Sequence, residues 1–236
     1  MQRRELLALA ATVGAATVAG CLGGSGGDDT AVDGQSLGES HRDALAAAGR
    51  YAVTYDERGE SAGSDPLTLT AELIVDETTE RYLRTNTDSL GVSLSQQYVD
   101  SGQVYSYTDG GITNVESYDV AALDDGTRRS IVAHLDLVTT LIETVPGRTQ
   151  FQEVGTESFD GVTVTRYEAE GDSVVERSVD EVRYVMLVDG DGLVRYFERH
   201  TEDGTGDEQR IVTRSWHFHD IGTAEIREPD WVGELR

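Results

Sequence analysis

The sequence predicts an α+β fold: a large curved antiparallel sheet, an open half-barrel, covered on one face by an N-terminal helix and a central amphipathic helix. Three observations carry this expectation. Stretches of strict apolar/polar alternation lie on both sides of the chain's middle, one long apolar stripe at helical spacing separates them, and Asp-Gly pairs mark the joints.

In chain order, Glu39 to Ala48 are good helix formers and Gly49 stands where a helix stops, with Ser36 or Ser40 as its cap. Alternation then begins. Tyr51, Val53 and Tyr55 point one way, and Leu67, Leu69, Ala71, Leu73 and Val75 do the same on a second strand whose threonines and Glu72 face the other side. Further strands are expected at Glu80–Thr87, Val92–Val99, Gln103–Thr108 and Ile112–Tyr118, with a hairpin turn at Asp109-Gly110. From Thr127 to Val145 the spacing changes. Ile131, Leu135, Val138, Ile142 and Val145 recur at steps of three and four, Leu137 and Leu141 widen the stripe, and Pro146-Gly147 ends it. Strands resume at Thr149–Ser158, Val162–Glu168, Glu181–Val188, Leu193–Thr201 and Gln209–His219, and the tail from Ile226 to Trp231 is expected to pack across the sheet edge.

Before this domain come Arg3-Arg4 and an apolar run from Leu6 to Gly20 that closes on Cys21, the single cysteine. At about 1.5 Å per residue a helix of that length falls short of the roughly 30 Å hydrocarbon core, so a cleaved export signal fits better than a permanent span. Arg3-Arg4-Glu5-Leu6-Leu7 resembles a twin-arginine signal, and Val18-Ala19-Gly20-Cys21 resembles a lipobox. That resemblance implies cleavage before Cys21 and lipid on its thiol. The expected layout is a signal peptide over 1–20, a lipidated Cys21 and Gly/Ser/Asp-rich linker over 21–37, and one domain over 38–236. The implied partner is the membrane, and the implied location its extracytoplasmic face.

Charge bounds the function. Acidic residues number 44 against 19 basic ones, all arginine, for a formal net charge of −25. That balance argues against nucleic acid, whose binding rests on neutralising phosphates. The composition resembles that of halophile proteins, because molar salt screens the self-repulsion of so acidic a fold.

Motifs for chemistry are weak. Gly23-Gly24-Ser25-Gly26-Gly27 includes a G-x-S-x-G match, but it lies in the linker and not between a strand and a helix. Asp189-Gly190-Asp191-Gly192 lacks the central glycine and terminal glutamate of a calcium loop, and a hairpin turn explains it. His217 and His219 share one face of a strand, with Asp220 or Glu198 near, yet no third metal ligand stands at recognisable spacing. No metal site, cofactor or catalytic group is therefore assigned, and the chain is read as a non-enzyme.

The order of elements resembles the LolA and LprG/LppX group of exported lipid and lipoprotein carriers, as well as lipoproteins of unassigned function common in haloarchaea. The local likeness lies in Phe151–Tyr167 and Met186–Phe197, each a strand, an Asp-Gly turn and a strand. The resemblance implies an apolar cavity between sheet and helices that takes a lipid or other apolar ligand. Leu69, Leu73, Leu135, Val138 and Ile142 are the candidate lining residues; the same five would equally fill a solid core, which leaves an envelope structural or interaction protein as the alternative. From the charge alone, the purified domain is expected to melt at a lower temperature below a few hundred millimolar salt than at about 1 M, where the Debye length is near 3 Å; equal melting temperatures would remove the halophile reading.

Overall fold

Alternating side chains give every strand one face to bury, and the buried sets line up across a single sheet. The computed structural model describes residues 32–88, 94–109, 116–170 and 179–236. Helix α1 (Gly34–Ala48) leads into β1 (Arg50–Ser61), β2 (Leu67–Asp76), β3 (Arg81–Asp88), β4 (Leu94–Asp100), β5 (Gln103–Asp109) and β6 (Glu116–Ala122). Helices α2 (Asp125–Ile131) and α3 (Ala133–Thr144) follow. Then come β7 (Gln152–Phe159), β8 (Val162–Glu170), β9 (Glu181–Asp189), β10 (Val194–Asp203) and β11 (Arg210–His219). The eleven strands form one open, curved antiparallel sheet in the order β6-β5-β4-β3-β2-β1-β11-β10-β9-β8-β7, as the α+β reading requires. Each half is a meander, and the halves join where β1 pairs with β11, from Ala52 opposite His219 to Ser61 opposite Arg210.

The core lies between the sheet and α1 and α3. Tyr51, Val53 and Tyr55 of β1 and Ala71, Leu73 and Val75 of β2 face it, together with Met186, Phe197, Trp216 and Phe218 from the second half. At roughly 1.5–3 kcal/mol for each large apolar side chain removed from water, this layer dominates the favourable side of folding.

Helix α1 is capped by Asp33, whose carboxylate accepts from the Gln35 N–H at 3.1 Å, and not by Ser36 or Ser40. A cap must precede the first turn, and the helix begins at Gly34, inside the stretch whose composition reads as linker. Gly49 closes it in the left-handed conformation at φ 66°. Gly34 and Gly38, one turn apart, let α1 approach α3 closely. A Cβ at Gly34 would lie 2.8 Å from the Glu143 carbonyl oxygen, and Arg42 one turn beyond pairs with the Glu143 carboxylate.

The central stripe forms two helices where the sequence suggests one. Val132, at φ −92° and ψ 8°, leaves helical geometry between them, and the Asp124 carboxylate starts α2 by accepting from the Thr127 N–H at 2.7 Å. The stripe keeps its sense, with Ile131, Val138, Ile142 and Val145 all buried. Strand β6 runs beyond the expected Tyr118 to Ala122, because its ladder with β5 pairs Asp109 with Glu116 and Gln103 with Ala122; residues 112–115 of the expected strand lie outside the described residues. Gly110, the second half of the expected Asp109-Gly110 turn, lies outside the described residues. The Asp160-Gly161 turn is present, both residues having positive φ of 51° and 78°. Asp189 closes the next hairpin by accepting from the N–H groups of Asp191 and Leu193, each at 3.0 Å.

The tail crosses the uncovered face near the β6 edge. Trp231 donates from Nε1 to the Gln96 side chain at 2.8 Å and stacks on Tyr107, while Val232 packs with Tyr98 and Tyr105.

His41 on α1 is wholly buried, accepting at Nδ1 from the Val194 N–H at 3.3 Å and meeting Phe218 edge-on. Burial, helped by nearby Arg42, lowers its pKa from 6.5 to about 4. Because the folded value is the lower one, the native state binds fewer protons than the unfolded state across this window, and stability falls as pH drops from about 6.5 towards 4. At 1.36 kcal/mol per pKa unit the window is worth roughly 3 kcal/mol. His41→Gln, which keeps an acceptor for Val194, should lose about that much less stability than the natural protein between pH 7 and pH 4. Parallel denaturation curves for the two proteins across that range would show that His41 is not the titrating group.

Candidate functional site: a mixed cavity beneath the central helix

The alternation that builds the core of β9 to β11 also places charge inside it. On β11 the covered face carries Val212, Arg214, Trp216 and Phe218 in succession, and on β10 it carries Phe197, Arg199 and Thr201. Antiparallel register sets Phe197 opposite Trp216 and Arg199 opposite Arg214, while Tyr184 of β9 lies opposite Arg199. Helix α3 lies over this region, presenting Leu137, Leu141 and Thr144 at successive turns. Its C-terminal turn and the chain that leaves it add Val145, Arg148 and Thr149.

Between these walls is a partly open cavity of about 410 Å³. Its lining is mixed: Leu137, Leu141, Val145 and Trp216 are apolar, and Arg148, Arg199 and Arg214 border the same space. A file of rings runs across its floor and beyond. Phe151, Tyr184, Phe197, Trp216 and Tyr55 follow one another at centroid spacings between 5.1 and 6.2 Å, and His134 of α3 stacks on Tyr55 at 4.3 Å.

Arg214 is held by Glu57 of β1 through two contacts, Nε at 3.0 Å and Nη2 at 3.3 Å. This arrangement holds the Glu57 carboxyl below its ordinary pKa and raises that of Arg214. The Tyr55 hydroxyl also donates to Glu57, and burial pushes the Tyr55 pKa up. Burial, reinforced by Arg84, lowers the His134 pKa, so its imidazole favours the neutral form. Trp216 is wholly buried, and among the described residues its Nε1–H has no hydrogen-bond partner.

None of the five expected lining residues borders this cavity. Val138 and Ile142 are wholly buried in the core and Leu73 nearly so, while Leu69 packs against the core from its margin. Leu135 borders a second hollow of about 440 Å³, on the side of α3 that faces α1. The residues that do line the cavity carry a signal in the sequence, since Arg199 and Arg214 stand in phase with the inward apolar residues of their strands. Arg3, Arg4 and Cys21 lie outside the described residues.

His217 and His219 lie on the opposite face of β11, with ring centroids 5.0 Å apart. His217 bonds Asp160 of the turn between β7 and β8, and His219 bridges Asp220 at 2.9 Å and the Thr54 hydroxyl at 3.1 Å. Among the described residues no three His, Cys, Asp or Glu side chains converge as metal ligands, and no helix is long and apolar enough to cross a membrane.

A helix-covered antiparallel sheet with a mixed cavity defines the chain's class by architecture. The chain belongs to DUF7537, a family of unknown function whose model matches residues 6–235. Comparison with curated proteins found no match. Among solved structures, similarity is found to a DUF1329 family protein from Desulfovibrio piger, at 10% identity over 86% of this chain and 96% of that one, with a TM-score of 0.29. A putative outer membrane lipoprotein-sorting protein domain from Vibrio parahaemolyticus is 7% identical over 85% and 97%, with a TM-score of 0.30. A LolA superfamily protein from Nitrosomonas europaea is 12% identical over 86% and 97%, with a TM-score of 0.29. Scores this low establish nothing about the function of this chain.

The different surroundings of the α3 leucines and the stripe beneath them have a measurable consequence. Ile142→Ala should cost about 2–5 kcal/mol in urea denaturation, whereas Leu137→Ala, at a position 44% exposed, should stay within about 1 kcal/mol. Comparable losses from the two would mean that Leu137 is packed and the cavity is closed in solution.

Proposed function

We propose that this protein is an extracytoplasmic lipoprotein that takes an apolar ligand, such as the chain of a lipid, into the cavity beneath α3. The observation that carries the reading is the cavity itself. Its roughly 410 Å³ falls within the range of small-molecule sites, about 300–1,000 Å³, and like them it joins apolar walls to a few placed polar groups. The leader supports delivery to the membrane's outer face: Arg3 and Arg4 direct export, and Cys21 carries the lipid. Two acyl chains on that cysteine would hold the domain stably, at about 0.8 kcal/mol per buried methylene.

A purely structural role in the envelope is the competing reading, favoured by the closely packed layer of Leu73, Val138 and Ile142 beside the cavity. Binding separates the two. The mature domain in molar salt should enhance the fluorescence of a naphthalene-based apolar probe saturably, and Leu141→Asp should abolish the enhancement. An absence of saturable binding, with no lipid co-purifying in native mass spectrometry, would leave the structural role. In the same host, Cys21→Ser should move the protein from the membrane fraction to the medium or leave it unprocessed; membrane-bound protein at the mature mass would contradict the anchor.

A further inference from the structure

The charge around the cavity is opposite to that of the molecule. In a chain of net charge −25, three of the 19 arginines border this one opening, and among its described lining residues none is acidic. Arg199 and Arg214 stand directly opposite on neighbouring strands, an arrangement that places like charges side by side and is unfavourable without a counter-charge. Glu57 answers Arg214 from the far side, on β1, and Arg199 is itself engaged within the protein. Neither arginine therefore needs a ligand to be satisfied. A guanidinium has five N–H donors in a planar fork, however, so one that is held on one edge can present the other. Arg148, on the exposed turn after α3, adds a third fork at the rim. Leu137 and Leu141 border the same opening.

We propose that the cavity selects single-chain amphiphiles with an anionic head: the carboxylate or phosphate lies among Arg148, Arg199 and Arg214, and the chain lies along Leu137 and Leu141. This rests on the reading of the cavity as an apolar-ligand site and adds the sign of the head. A volume of about 410 Å³ suits one chain and not several. The protein's overall negative field opposes the approach of any anion from afar. Salt screens that field beyond a few ångströms and weakens a contact pair inside a partly enclosed site much less.

The test needs no variant in its first arm. With the mature domain in molar salt, a dansyl-labelled undecanoic acid is compared with its methyl ester, which has the same chain and no charge. The acid should bind about tenfold tighter, as a charge-assisted hydrogen bond implies. Arg148→Gln, at an exposed position, and Arg199→Gln should each weaken the acid about five- to tenfold and leave the ester unchanged. A lysophosphatidate, a free fatty acid and a monoacylglycerol of the same chain length, used as unlabelled competitors, separate phosphate, carboxylate and uncharged heads; both anions should compete better than the monoacylglycerol, and the better of the two identifies the head. Equal affinities for acid and ester, or variants that leave the acid's affinity untouched, would overturn the selection for an anion while the apolar site stands. If neither probe binds, the apolar site falls with it.

Discussion

The pairing of β1 with β11 is the constraint on which the rest of the molecule depends. It joins the first strand of the domain to the last, from Ala52 opposite His219 to Ser61 opposite Arg210, and turns two meanders into one sheet. The largest core residues straddle it. Val53 lies opposite Phe218 and Tyr55 opposite Trp216, so the widest apolar surface forms only when both ends of the chain are in place. Helix α1 sits beside this seam and locks to α3 through Gly34, Gly38 and the Arg42–Glu143 pair. Contacts so distant in sequence close slowly, since a long loop must be ordered before they reward it.

The two helices are too few to cover so wide a face. Where α1 and α3 lie, the inward residues are apolar; beyond them the same face turns polar without leaving the strand periodicity. Towards β6 the inward positions are Asn86, Ser95, Gln97 and Ser106, and Arg84 is tied to the Ser130 carbonyl at the end of α2. Towards the end of α3 they are Arg199 and Arg214, with Glu57 between the halves. The cavity opens at the second of these borders. Its mixed lining follows from its position at the margin of the apolar layer.

Much of this architecture was legible because strand and helix periods are local. The alternation in Tyr51–Val75 and Glu181–His219 and the stripe from Ile131 to Val145 each state which side chains turn inward. What could not be read was mutual placement. The stripe names Val138 and Ile142 as inward and Leu137 as marginal, but only the depth at which α3 lies decides that the first two fill core while Leu137 and Leu141 border a cavity. Register is likewise non-local. That Arg199 faces Arg214 is set by pairing across the turn after Asp203, whereas each arginine alone, in phase with apolar neighbours, was visible. The break at Val132 had no marker, since neither glycine nor proline occupies it. Asp33 as a cap was hidden by a composition that reads as linker.

Among the described residues the sheet ends at β6 and β7, and these two edges have a consequence for solubility. Strand β6 is exposed at every position and includes Tyr118 and Val120, while β7 carries the exposed Val154 and a register shift between Glu153 and Gly155. An unpaired edge is a template for another chain, and the carboxylates of Glu116 and Asp119 on β6 and of Glu153 and Glu157 on β7 repel such a neighbour. Strands pair at about 4.7–4.9 Å. In salt near 1 M the Debye length, about 3 Å, is shorter than that, so charge guards an edge least in the medium that such an acidic fold prefers. The irregularity at Gly155 guards by shape at any ionic strength. The molecule therefore has one edge protected by geometry and one protected mainly by charge, and self-association in concentrated salt would begin at β6.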